Sequence, residues 1–127
     1  MPLVRIALRA GKPEGYRATV GKAVHRAMVE TINVPDKDVF QIVTEHPPSG
    51  LVYSPDYLDV QRTDYLLLIQ ITLNQGRSVE QKKALYARIA ELLAAEAGVR
   101  PQDVFIGLVE VPKENWSFGD GVAQYAS

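Results

Sequence analysis

The chain has no cysteine. Disulfides, thiolate catalysis and cysteine-ligated metals are thereby excluded. Histidine is nearly as scarce: His25 and His46 are the only two, too few for a histidine-rich metal site. Net charge is −1, so no global field draws the chain to nucleic acid or to an anionic membrane. No basic stripe interleaved with aromatics marks a nucleic-acid face. Long apolar runs are missing too, and nothing approaches the length of a membrane span. Arg5 and Arg9 interrupt Leu3–Ala10, so no secretory leader is read at the start. Gly119-Asp-Gly121 lacks a following helical pattern, so it is no phosphate loop. The expectation is a cytoplasmic protein with neither membrane nor nucleic-acid partners. What is present is ordinary: 127 residues, 46% apolar and 23% charged. That suits one folded domain, which buries roughly two thirds of the surface its unfolded chain would expose.

The chain repeats itself at an offset of 65 residues, without a gap. Val4, Ile6 and Leu8 meet Ile69, Ile71 and Leu73. Gly11 meets Gly76. Val24, Ala27 and Met28 meet Ile89, Leu92 and Leu93. Asp38-Val39-Phe40 meets Asp103-Val104-Phe105, and Glu45 meets Glu110.

Each copy reads as strand, helix, strand. Val4, Ile6 and Leu8 alternate with Arg5, Ala7 and Arg9, which predicts a strand over Leu3–Ala10, with a second copy over Tyr65–Leu73. Helical spacing predicts helices from about Pro13 to Ile32 and from about Ser78 to Ala97. Ser78 and Gln81 have the spacing of a capping box, and Gly98 stands where a helix ends. Pro35 and Pro101 break the chain before strands at Val39–Glu45 and Val104–Val111. The domain plan is one βαβ unit over about 2–46, a connection at 47–62, a second unit over about 63–111 and a tail at 112–127. The connection is long enough to expect a function of it. The tail carries the sole tryptophan, Trp116, followed by Ser117, Phe118 and Gly119. It docks either on its own core or on a neighbouring subunit. The element order fits either a ferredoxin-like domain or a pseudo-symmetric pair of βαβ units.

Three residues stand out chemically. Pro2 follows Met1, and methionine removal would leave a secondary amine. Such amines titrate near ~8, and burial or nearby cations lower that value, fitting it to acid–base work near neutrality. Its repeat mate, Leu67, has no free amine, so only one copy can use this chemistry. Arg77 sits beside the start of the second helix, where backbone N–H groups and a planar guanidinium suit a carboxylate. Its mate is Lys12, and the plainer reading is a solvated loop cation. Asp38 is a carboxylate that could tune an amine, but its mate Asp103 has no amine to tune, which favours a turn role. His25 reads as partly packed. Arg62, Tyr57 and Tyr65 are pocket candidates without a diagnostic spacing.

Four segments in order carry a family resemblance: Pro2-Leu-Val-Arg-Ile, Val34-Pro-Asp-Lys-Asp38-Val-Phe-Gln41, Gly76-Arg77-Ser-Val-Glu-Gln-Lys82 and Asn115-Trp-Ser-Phe-Gly119. The chain resembles the tautomerase superfamily over nearly its whole length, in particular the group around malonate semialdehyde decarboxylase. The resemblance implies an α/β (α+β) fold: tandem βαβ units forming a pseudo-two-fold subunit, with a four-stranded mixed sheet and two helices on one face. It implies a homotrimer acting on small 2-oxo acids, enols or 3-oxo acids with no metal or organic cofactor. By the same resemblance Pro2 is the catalytic amine, Arg77 binds the substrate carboxylate or oxyanion, and Asp38 is a catalytic aspartate, reversing the turn reading. Trp116 and Phe118 become pocket walls. One departure stands out, because the decarboxylases carry a second arginine where this chain has Gln75, a neutral amide. The expected activity is therefore keto–enol tautomerisation of a small carboxylated substrate with Pro2 as base. The alternatives are a decarboxylase or hydratase with protonated Pro2 as acid, and a non-catalytic ferredoxin-like binding module.

Overall fold

A computed structural model describes residues 2–126. Its main elements run β1 (Leu3–Arg9), α1 (Tyr16–Ile32), β2 (Gln41–His46), β3 (Leu67–Asn74), α2 (Val79–Ala97) and β4 (Val104–Val111). The four strands form one sheet in the order β2-β1-β3-β4. β1 lies parallel to β2 and β3 parallel to β4, while β1 and β3 meet antiparallel at the centre. This is the mixed sheet of two βαβ units joined back to back, rather than a ferredoxin-like arrangement.

The period-two pattern decides which face is covered. Val4, Ile6 and Leu8 of β1 and Leu67, Ile69, Ile71 and Leu73 of β3 are all buried. They pack on Val20, Val24 and Met28 of α1 and on Leu85, Ile89 and Leu93 of α2 in one continuous core. Each fully buried aliphatic side chain contributes about 1.5–3 kcal/mol of transfer free energy, so both helices are held on this one face. The opposite face is open. Arg5, Ala7, Ile42, Thr44, Gln70 and Gly107 line a shallow depression on it, and Phe105 is 52% exposed there.

Both helix ends follow from local chemistry. The Ser78 hydroxyl accepts from the Gln81 N–H while the Gln81 side chain accepts from the Ser78 N–H, closing the capping box. Gly98 ends α2 in the left-handed region. The first helix starts later than its spacing predicts, at Tyr16 rather than Pro13. Gly15 has a φ of 85° and no side-chain cap, so the helix begins only after this left-handed residue; Pro13 and Glu14 lead into it through the bond from Tyr16 N–H to Pro13 O at 3.1 Å.

The repeat runs deeper than the paired elements. Gly11 and Gly76 both lie at positive φ, 103° and 120°, in the turn after the first strand of each unit. Arg17 pairs with Glu45 at 2.9 Å, and their counterparts Lys82 and Glu110 pair at 2.7 Å. It also enters the connection and the tail: the short 3-10 turn at Pro48–Gly50 is matched 65 residues on by the turn at Lys113–Asn115. The connection after β2 and the tail after β4 are thus counterparts.

Candidate active site

Parallel pairing brings the starts of β1 and β2 to one end of the sheet, and antiparallel pairing brings the end of β3 to that same end. Pro2 stands at the head of β1 and is buried. The Val4 N–H donates to the Phe40 carbonyl at 3.0 Å, locking the approach to β2, which carries Asp38, against Pro2's strand. On the other side Leu3 pairs with Thr72, so Asn74, Gln75 and Arg77 follow at this end. The chain leaves β4 here too and returns as the tail.

Pro2, Leu3, Phe40, Trp116, Ser117 and Phe118 line a cavity of about 220 Å³. Its wall is built by the tail. Trp116 and Phe118 stack with centroids 5.5 Å apart, and Tyr125 meets Phe118 edge-on at 4.9 Å. The Gln124 side chain clips this segment, accepting from the Phe118 N–H at 2.9 Å and donating to the Gly119 carbonyl at 3.0 Å. The tail folds on its own core, since the Trp116 indole N–H donates to Asn74 Oδ1 at 2.8 Å.

Arg77 is half-buried beside this cavity without lining it. Its Nη1 donates to the Asn74 carbonyl at 3.0 Å and its Nη2 to the Ile32 carbonyl at 3.4 Å. The guanidinium is therefore held between the end of β3 and the end of α1, where backbone carbonyls fix its orientation. Glu110 lies nearby. The bond from Lys82 holds the Glu110 carboxyl below the usual carboxylate range, against partial burial; the Gly76 N–H and the Arg77 charge add to it. Gln75 is exposed and its backbone N–H donates to the Val111 carbonyl at 2.9 Å. Asp38 is half-buried, and its N–H closes a turn onto the Pro35 carbonyl at 3.0 Å. Pro2, Trp116 and Phe118 thus share one cavity, while Asp38, Arg77 and Gln75 stand at the same end outside its lining.

Two contributors escape the sequence pattern. Phe40 lines the cavity although its repeat position marks only a strand start. Asn74 is a buried polar residue at 9% exposure that joins Arg77 to Trp116. A buried amide needs a partner, but nothing in the sequence names a tryptophan 42 residues on. The other candidates lie elsewhere. His25 Nε2 bonds the Asp36 carbonyl at 2.8 Å, and His46 bonds Thr44 at 2.9 Å. Arg62 and Tyr57 line a separate cavity, and Tyr65 carries the Lys12 ammonium over its ring at 4.4 Å.

The paired βαβ units, with an apolar cavity at Pro2, are those of an enzyme of the tautomerase type. The chain belongs to the tautomerase family: two family models, each described as a tautomerase enzyme, match residues 38–119 and 2–61. It is 48% identical to the probable tautomerase YusQ of Bacillus subtilis (strain 168), over 98% of each chain. Among solved structures it is similar to two malonate semialdehyde decarboxylases. One, studied for decarboxylase and hydratase activities, is 32% identical with a TM-score of 0.91, covering 97% of this chain and 95% of that one. The other, FG41 malonate semialdehyde decarboxylase inhibited by 3-bromopropiolate, is 39% identical with a TM-score of 0.90, covering 97% and 93%. A fused 4-OT solved as an asymmetric trimer is 26% identical with a TM-score of 0.75, covering 96% of each chain.

Proposed function

We propose that this enzyme is a cofactor-independent keto–enol tautomerase of small carboxylated 2-oxo acids or their enols, with the Pro2 amine as general base once Met1 is removed. The observation that carries the reading is the burial of Pro2 against Leu3, Phe40, Trp116 and Phe118. An amine in apolar surroundings loses affinity for its proton, which keeps the nitrogen neutral and able to accept one near neutral pH. In the enolising direction, the Pro2 nitrogen takes the proton from the carbon next to the carbonyl. The C–H electron pair forms the new carbon–carbon double bond, and the carbonyl oxygen takes up negative charge. The prolinium then gives that proton to the oxygen, completing the enol. In ketonisation the neutral Pro2 nitrogen takes the enol O–H proton, and the oxygen's electron pair re-forms the carbonyl. The C=C pair takes the proton from the prolinium at the neighbouring carbon, leaving the amine neutral. Arg77 binds the carboxylate and stabilises the oxygen charge as it develops. Asp38 orients water or tunes the amine. Trp116 and Phe118 are the apolar wall, and Gln75 offers the substrate a hydrogen bond without charge.

A single domain over residues 1–127 assembles as a homotrimer in this reading. The open sheet face with exposed Ile42 and Phe105 and the trimeric fused 4-OT support association. Among the described residues no helix is long and apolar enough to cross a membrane; the proposed place of the enzyme is the cytoplasm. A second reading, decarboxylation or hydration of a 3-oxo acid by protonated Pro2, draws on the similarity to the two malonate semialdehyde decarboxylases. Gln75 weighs against it.

The test is ketonisation of phenylenolpyruvate by the mature chain, with Met1 removal checked by intact mass. Pro2→Ala is expected to remove the activity while the fold persists by circular dichroism. Full activity in that variant would exclude the amine mechanism.

A further inference from the structure

We infer that the chain carries a second site for the same class of ligand, a small carboxylate with an apolar planar body, at the opposite end of the sheet. This site binds without turning its ligand over. The ligand class rests on the tautomerase reading above; the site itself rests on the repeat.

A cavity of about 330 Å³ lies at that end. Four residues of its lining are repeat counterparts of residues lining the first cavity: Leu68 stands for Leu3, Phe105 for Phe40, Val52 for Ser117 and Tyr53 for Phe118. The cation is kept as well. Lys12 Nζ donates to the Arg9 carbonyl at 3.4 Å, as its counterpart Arg77 donates to that of Asn74, the counterpart of Arg9. A second cation, Arg62, lines the cavity directly. Its Nη1 is engaged by the carbonyls of Ser54, Tyr57 and Val60 at 3.1–3.4 Å, which fixes the loop and the position of its charge. Tyr57 offers a ring face to a planar ligand, and Tyr53 the face opposite the one that carries the Arg9 guanidinium at 5.2 Å.

The parts needed for chemistry are missing. Leu67 holds the place of Pro2 within β3, fully buried, and its nitrogen is a peptide nitrogen with no basic lone pair. Asp103, the mate of Asp38, is fully buried and spends both oxygens on Thr63, accepting from its N–H and its hydroxyl at 2.7 Å each. Walls and cation remain while the amine does not, which leaves affinity without catalysis.

Equilibrium dialysis of phenylpyruvate against the full mature chain carrying Pro2→Ala tests this, with Trp116 fluorescence followed in parallel. Trp116 is the only tryptophan and lines the first cavity but not the second, so it distinguishes the two sites. The expected result is two ligands per chain, one of them silent to Trp116. Val52→Glu is 82% exposed before substitution, so it places an anion in the second cavity without disturbing the core. It should weaken the silent site about tenfold or more through like-charge repulsion and leave the Trp116-reported affinity unchanged. One ligand per chain that tracks Trp116, or none at all, would overturn the proposal. One silent ligand lost in Val52→Glu, with Trp116 unresponsive and no ketonisation by the wild type, would uphold the second site and remove the tautomerase reading instead.

Discussion

The indole N–H of Trp116 donates to the side-chain oxygen of Asn74 at 2.8 Å, so the only tryptophan of the chain is fastened to the end of β3. The same Asn74 receives the Arg77 guanidinium on its backbone carbonyl at 3.0 Å. One buried amide therefore spaces the proposed anion-binding group from the aromatic wall. Asn74→Leu leaves the indole N–H without its acceptor, an expected cost of about 1–3 kcal/mol. Urea unfolding followed by circular dichroism reads that loss, and a changed Trp116 emission in the folded state reads the displaced wall. Unchanged emission would show that another contact positions the ring.

Gln124 acts on the same wall from outside the cavity. By clipping Phe118 to Gly119 it holds an aromatic group of the cavity proposed to take the substrate, while its own side chain is not part of the lining. Gln124→Ala is expected to raise KM several-fold with kcat nearly unchanged, the pattern of lost uniform binding. Gln124→Glu keeps the acceptor for the Phe118 N–H and loses the donor to Gly119, and should lie between the two.

The charge balance around Arg77 separates the two chemistries. Arg77→Gln removes the one cation proposed to meet the substrate oxygen, and kcat/KM for ketonisation should fall about a hundredfold or more. Gln75→Arg restores the second cation that the resemblance associates with decarboxylases. Carbon dioxide release from malonate semialdehyde should then rise above that of the wild type. No rise would show that Gln75 does not set the choice of reaction.

The Lys82–Glu110 pair gives a pH signature. Hydrogen bonding to Lys82 lowers the Glu110 pKa in the folded chain, so the stability it contributes is present above the unfolded carboxylate's pKa and is lost as pH falls through the lowered folded value. Lys82→Met should move the carbon-13 carboxyl titration of Glu110 upward and flatten this acid limb of stability. A titration that stays put would assign the shift to Gly76 and Arg77 instead.

Much of the scaffold was legible because periodicity and repetition report burial directly. Val4, Ile6 and Leu8, and their mates 65 residues on, are the sheet's inner face, and the Ser78–Gln81 box marks the start of α2. The delayed start of α1 was not legible, because Gly15 takes a left-handed conformation that its neighbours do not announce. For the site, Pro2, Trp116 and Phe118 were readable as residues, and the structure gathers them in one cavity. Asn74 and Phe40 were not readable: their parts depend on an antiparallel pairing of β1 with β3 and on a tail that returns to the sheet, and neither leaves a local pattern. The correspondence between the 47–62 connection and the tail was hidden as well. Leu51 and Val52 differ too much in chemistry from Trp116 and Ser117 for the match to be seen before the 3-10 turns are superposed by number.

The central claim is that a neutral, buried Pro2 amine is the base. The pH dependence of kcat/KM for phenylenolpyruvate ketonisation by the mature chain tests it most directly. The expected profile rises with pH through one titration below the ordinary range of an α-amino group, near ~8, and the limb disappears in Pro2→Ala. A rate that falls as the amine loses its proton would contradict the claim and assign prolinium as the working form.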